Sequence, residues 1–189
     1  MLDLSTNYAG LKLKNPIVLG ASKISAMLPR IKEAEKAGVA AVVAPSLFEE
    51  QINYQNVIHQ KTMENFLDID SEMQHLFPEG LEDAGPNEHL YWLKKTKEEI
   101  EIPVIASLNC VNKETWIDYA KRIEETGVDA LELNFFHVPD EFDKTAAEIE
   151  EDQLDTIKTI VDALKSPVTV KLSFFYSNSL NFIKRVSET

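Results

Sequence analysis

Near the end of the chain a lysine interrupts an apolar run, Val168-Thr169-Val170-Lys171-Leu172-Ser173. A lysine on a strand can stabilise negative charge developing on a bound cofactor or substrate. It can also form a Schiff base with a carbonyl compound. Val168, Val170 and Leu172 around it predict a buried strand, where lysine is rarely placed without a purpose; the plain alternative is a surface cation. Four other apolar runs end in small, hydroxyl or amide residues: Gly20-Ala21-Ser22, Ala44-Pro45-Ser46, Ser107-Leu108-Asn109 and Leu133-Asn134. Small residues let a planar ligand approach backbone amides, and asparagines present donors and acceptors to a heterocycle edge. Asn109 and Asn134 serve equally well as structural amides tying loops together.

His137 lies just beyond Asn134 and is of a type suited to proton transfer near neutrality, although a loop histidine often has no such role. Cys110 follows Asn109 and reads as a small residue near a ligand plane or as a buried thiol. His59, His75 and His89 lack metal-ligand spacing, so no metal site is expected. Glu148, Glu150, Glu151 and Asp152 form an acidic cluster at a helix start, which reads as a solvated face favouring the helix dipole.

Those residues need a scaffold, and the apolar runs supply one. Ile17–Gly20, Val39–Ala44, Val104–Ser107, Ala130–Asn134 and Val168–Leu172 predict five strands. Most are continuous rather than alternating, as in parallel strands covered on both faces. The first, third and fifth open on Pro16, Pro103 and Pro167, which end whatever helix precedes them. The second and fourth share Glu-x-x-Gly-Val-x-Ala, at Glu35–Ala41 and Glu124–Ala130, where a glycine closes a helix and a valine begins the strand. Asn112 suits the N-cap of a helix whose stripe is Trp116, Tyr119, Ala120 and Ile123. A later helix carries Leu154, Ile157, Val161 and Leu164 on one face. From about residue 45 to 87 the chain reads as one long irregular insertion, and such loops are often functional.

Alternating strand and helix predicts an α/β fold. An open doubly wound sheet competes, but no Gly-x-Gly-x-x-Gly follows the first strand. A parallel (β/α)8 TIM-barrel type fits better, with function at the strand C-termini. Only five of eight strands are found. Lys121–Thr126 (Lys-Arg-Ile-Glu-Glu-Thr) has a near copy in Lys184–Thr189 (Lys-Arg-Val-Ser-Glu-Thr), where another strand would be due. The expectation is a single incomplete barrel domain over 1–189, truncated after the fifth strand and its helix.

A net charge of −13 argues against nucleic acid and anionic membrane surfaces as partners. No apolar run nears the roughly 20 residues of a membrane span, no signal peptide is visible, and one cysteine excludes an intramolecular disulfide. A soluble cytoplasmic protein is expected.

Leu4–Ser22, with Tyr8-Ala9-Gly10-Leu11-Lys12-Leu13-Lys14-Asn15-Pro16-Ile17 leading into Gly20-Ala21-Ser22, resembles the start of the dihydroorotate dehydrogenase family. The likeness recurs at Ile102–Ser107, Ala130–Asn134 and Pro167–Ser173, in consistent order. It implies an FMN-containing barrel of the pyrimidine-biosynthesis type, with a hairpin at about 4–14 closing its bottom. It further implies that Ala21 and Ser22 contact the flavin, that Asn134 and Lys171 reach its ring, and that Asn109 does so from the third strand end. The lysine would stabilise the reduced ring.

This chain departs from the family where the catalytic loop should carry a cysteine or serine base in Asn-x-Ser-Cys-Pro-Asn. It reads Asn134-Phe135-Phe136-His137-Val138-Pro139 instead. Ala44-Pro45 replaces a flavin-facing lysine, and the orotate-gripping segment is not recognisable. The resemblance also implies that the FMN phosphate is gripped by turns after later strands, which would lie past Thr189. Three readings follow: a flavin oxidoreductase acting on a small, dihydroorotate-like molecule; a non-catalytic partial barrel self-associating through exposed strand edges; and a Schiff-base lyase using Lys171.

Overall fold

The computed structural model describes residues 2–53, 85–136, 142–174 and 176–189. An antiparallel hairpin of β1 (Thr6–Tyr8) and β2 (Leu11–Leu13) comes first, turning through Ala9 and Gly10 at positive φ. A five-stranded parallel sheet follows in sequential order: β3 (Val18–Leu19), β4 (Ala41–Phe48), β5 (Val104–Asn109), β6 (Ala130–Phe135) and β7 (Val168–Leu172). Between and after them run α1 (Leu28–Lys36), α2 (Pro86–Glu99), α3 (Lys113–Glu124), α4 (Ala146–Ala163) and α5 (Ser179–Ser187). Each strand pairs only with its sequence neighbours, as in one half of a barrel.

The two faces of the sheet pack differently. Val42, Ala44, Leu47, Val104, Ala106, Leu108, Leu131, Leu133 and Phe135 form the main core with helix residues Ile31, Leu93, Trp116, Ile123 and Ile160. On the opposite face, Ala41, Val43, Ile105 and Ala130 make a smaller apolar layer under Leu11 and Leu13 of the hairpin. Asn15 locks this end: its Nδ2 donates to Gly38 O at 2.9 Å, and its Oδ1 accepts from Ile17 N at 2.9 Å.

The repeated Glu-x-x-Gly-Val-x-Ala motif performs one task twice. Glu35 Oε1 accepts from the backbone N–H of Glu101 and Ile102 at 2.7 and 3.0 Å. Glu124 Oε1 accepts from Lys165 and Ser166 at 2.7 Å each. In both cases the two donors immediately precede the proline that opens the next strand but one in the repeat, so a carboxylate satisfies amides the proline turn leaves without a ladder partner. The backbone N–H of Ser166 heads the causes that hold the Glu124 carboxyl below its usual range. Gly38 and Gly127 take φ of 103° and 82°, the left-handed turn that a side chain would strain.

Three expectations need correction. The second strand does not end at Ala44: a register shift between Val43 and Ser46 absorbs Pro45, and pairing resumes from Ser46↔Ser107 to Phe48↔Asn109. Proline cannot donate to a ladder but is accommodated at a bulge. Residues 49–53 are then helical, and α2 begins at Pro86, so the irregular stretch is shorter than 45–87 at both ends; residues 54–84, including His59 and His75, lie outside the described residues. In α4, Val161 is exposed and the buried face is Thr156, Ile157 and Ile160, with Leu164 packed alongside. By contrast, Trp116, Tyr119, Ala120 and Ile123 are the buried residues of α3.

Asn112 occupies the N-cap of α3 but makes no side-chain cap bond. Glu49 takes over: its Oε2 accepts from the N–H of Val111 at 2.6 Å and of Asn112 at 2.9 Å, while the Asn112 amide donates to Oε1. Burial works against charge on Glu49, yet the amides of Asn112 and Val111 outweigh it and hold the carboxyl below its usual range. The acidic start of α4 is equally structural. Glu148 and Thr145 form a capping box, and Asp152 pairs with Lys144 and Glu150 with Arg185 at 2.7 and 3.7 Å. Among the described residues no cluster could hold a metal ion, and no helix is long and apolar enough to cross a membrane.

Candidate functional site at the strand ends

The bulge at Pro45 shapes the site. Ala41 and Val43 lie on the hairpin-side face and Val42 and Ala44 on the helix-side face, but beyond the bulge Leu47 joins the helix side. Ser46 is thereby turned to the barrel side, where its Oγ lies 2.7 Å from Ser107 Oγ. Bulges re-aim side chains in this way.

From Ser107 a polar line crosses the sheet above the apolar layer. Ser107 Oγ donates to Glu132 Oε1 at 3.0 Å. Lys171 Nζ lies 3.2 Å from the same oxygen. Asn134 Nδ2 donates to Ser46 Oγ at 3.4 Å, and Asn109 Nδ2 donates to Asn134 O at 2.7 Å. Ser46, Ser107, Glu132, Lys171, Asn109 and Asn134 thus form one connected group on four adjacent strands. Lys171 and Asn134 are direct register partners.

Lys171 is not the buried lysine its neighbours suggested, since its side chain is 47% exposed. The strand alternates: Val168, Val170 and Leu172 pack against the helix-side core, and Lys171 faces away. Asn109, buried, spends its amide on the backbone carbonyl of Asn134 and so fixes the end of β6. Ala21 and Ser22 follow β3, at the opposite edge of the sheet from β7, and both are exposed. Ser22 sits in a local turn, its N–H donating to Ser25 Oγ at 2.9 Å and its Oγ accepting from Ser25 N at 3.3 Å. The line through Glu132 does not include them. His137 lies outside the described residues.

Cys110 belongs to the helix-side core, and burial pushes its thiol well up, with Glu49 and Glu50 adding to the effect. It is a packing residue. Glu132 is the site residue that inspection of motifs missed. Its signal was the alternation in Ala130-Leu131-Glu132-Leu133-Asn134, which puts one carboxylate on the same face as Asn134.

The fold and these strand ends define a parallel α/β half-barrel whose hydroxyl, amide and ammonium groups gather where barrels of this class bind ligands. No family model matches the chain. Over 97% of its length the chain is 30% identical to a dihydroorotate dehydrogenase B (NAD(+)), catalytic subunit, from Thermoplasma volcanium, covering 58% of that protein. It is 27% identical to the protein of the same description from Thermoplasma acidophilum, again over 97% of this chain and covering 59% of the relative. The chain is therefore dihydroorotate dehydrogenase-like along nearly all of its length, and spans a little under three fifths of these curated relatives. Among solved structures, dihydrodipicolinate synthase from Bacteroides thetaiotaomicron superposes with a TM-score of 0.55 at 13% identity, covering 92% of this chain and 50% of that one. At that identity the likeness speaks for the fold alone.

Proposed function

We propose that the chain belongs to a cytoplasmic FMN-dependent oxidoreductase of the dihydroorotate dehydrogenase type, and that its strand ends supply contacts to the flavin ring. One observation carries this: Asn134 and Lys171 stand side by side in register at the ends of β6 and β7, within a sequence related to dihydroorotate dehydrogenases. The donor set fits the ring. An isoalloxazine edge alternates carbonyl acceptors with an N–H, and amide, hydroxyl and ammonium groups are the complementary partners. FMN, when bound, supplies the two-electron acceptor. The protein's own part is to orient and to polarise. Asn109 holds the carbonyl of Asn134 in place, Ser46 accepts from the Asn134 amide, and Lys171 brings a positive N–H donor to the mouth. Ala21 and Ser22, on exposed backbone after β3, would face the ligand from the other edge. The substrate would be a small dihydroorotate-like molecule.

A second reading is favoured by the surface following the edge strand. Phe174, Leu180 and Ile183 are 81%, 78% and 49% exposed, and apolar groups beside an open sheet edge favour self-association. Against a Schiff-base role, the Lys171 ammonium rests on Glu132, whereas a nucleophilic lysine must present a neutral amine.

Mixing the purified chain with FMN and desalting separates these readings. Under the flavin reading the protein elutes yellow with flavin absorbance retained. A colourless protein that sediments as a dimer or larger supports the self-associating reading and overturns the first.

A further inference from the structure

We propose that Ser46 is a specificity-determining residue whose hydroxyl is locked as a hydrogen-bond acceptor, so that the mouth takes a ligand edge bearing a lactam or imide N–H at that point. The inference rests on the strand ends being the ligand site proposed above, and adds the chemistry of the group that Ser46 meets.

The lock starts at Glu132, a carboxylate paired with Lys171. A carboxylate only accepts hydrogen bonds, and a serine hydroxyl has one hydrogen to give. Ser107, fully buried, spends its hydrogen on Glu132 Oε1 at 3.0 Å. Its 2.7 Å contact with Ser46 Oγ must therefore be made by the Ser46 hydrogen. With that hydrogen spent, Ser46 can only accept from Asn134, and it does so from Nδ2 at 3.4 Å. The chain runs one way, from Asn134 through Ser46 and Ser107 to Glu132.

A hydroxyl oxygen has two acceptor lone pairs, and Asn134 uses one of those on Ser46. Ser107 is sealed from solvent, whereas Ser46 is half-buried near the end of β4. Its second lone pair is what it offers to a ligand. A ligand N–H satisfies it. A carbonyl oxygen or a bare ring nitrogen would set lone pair against lone pair, and Ser46 has no spare hydrogen with which to respond. Lactam and imide edges place a carbonyl beside the N–H. The donors on the neighbouring strands suit that carbonyl: the second hydrogen of the Asn134 amide and the ammonium of its register partner Lys171. A negative charge elsewhere on the same ligand finds that ammonium too, so Ser46 and Lys171 serve different parts of one molecule.

A flavin ring and a dihydropyrimidine both carry such an edge, and the test separates them. Equilibrium dialysis compares lumiflavin, whose N–H is the imide's, with 3-methyllumiflavin, and orotate with its 1-methyl and 3-methyl derivatives. Wild type is expected to bind the N–H form roughly tenfold more tightly than the methylated form in at least one set. A preference in the lumiflavin pair assigns the flavin ring to Ser46, and one in the orotate set assigns the substrate. Methylation also adds bulk, and Ser107→Ala controls for it. There Ser46 keeps its size but regains a free hydrogen, and the preference is expected to fall to about threefold. Ser46→Cys, a larger side chain with a weaker acceptor, is expected to lower the preference as well and carries the test if Ser107→Ala does not fold. Equal affinities within both sets, or a preference unchanged in the folded variants, overturns the inference and leaves the ligand site standing. Binding of none of these compounds overturns both.

Discussion

Replacing Trp116 with alanine is expected to destabilise the protein by about 3–5 kcal/mol, a large part of the roughly 5–15 kcal/mol that holds a domain folded. Trp116 is 2% exposed and stacks on Phe135 with ring centroids 4.8 Å apart. The first residue is on α3 and the second ends β6, so the indole is the main wedge between that helix and the strand carrying Glu132 and Asn134. Truncation removes one of the largest buried side chains and leaves a cavity that the rigid sheet cannot close. Chemical denaturation with the slope unchanged and the midpoint sharply lowered is the expected result. Trp116→Phe, which preserves an aromatic stack, should lose well under half as much. Equal losses for both variants would show that the indole's size, not the stack on Phe135, matters.

The second large effect is acid destabilisation through His89. This histidine on α2 is 1% exposed, its Nε2 has no hydrogen-bond partner among the described residues, and burial lowers its pKa to about 4 from 6.5. The folded state thus excludes a proton that the unfolded chain binds readily. For a base whose folded pKa is depressed, the neutral form's stability is fully present above the unfolded value and is lost as pH falls from about 6.5 towards 4. Between pH 7 and pH 5 the loss should be about 2 kcal/mol from this group alone. The lowered carboxyls of Glu49, Glu124 and Glu148 act in the same direction but from about 4.5 downward, because their unfolded values lie there. Urea denaturation at pH 7 and pH 5 separates the two. Wild type should lose stability over that interval and His89→Leu should not; a variant with the same slope as wild type would clear His89 of the effect.

What was legible in the sequence followed from periodicity and punctuation. Trp116, Tyr119, Ala120 and Ile123 recur at helical spacing and are the buried face of α3. Gly38 and Gly127 end their helices at positive φ, as a glycine before an apolar run suggests. The five parallel strands stand where the apolar runs stand: the fifth matches at both ends, and the ends of the others differ by at most four residues. What was not legible depended on phase. Pro45 read as the end of a strand, because a bulge is a tertiary compromise with β5 that no local rule announces. Without that bulge, Ser46 would not meet Ser107. Lys171 read as buried because its valine and leucine neighbours are apolar; those neighbours face the helices, and the lysine faces the mouth. Glu132 was hidden for a similar reason, inside a run whose apolar majority masked which face each residue takes. Asn112 carried the signal of an N-cap, yet the helix end is satisfied by Glu49, in the helical turn just past the end of β4.

The site account centres on Lys171 and Asn134 meeting a flavin ring. A fluorescence titration of FMN into wild-type protein and into Lys171→Ala tests it most directly, with thermal melts to establish that both are folded. Lys171 is half exposed and its removal leaves Glu132 bonded to Ser107, so the fold should survive. The account predicts saturable quenching by wild type and binding weaker by roughly ten- to hundredfold in Lys171→Ala, the range a charged hydrogen bond supplies. Equal affinity in the two folded proteins, or no quenching by wild type, would contradict it.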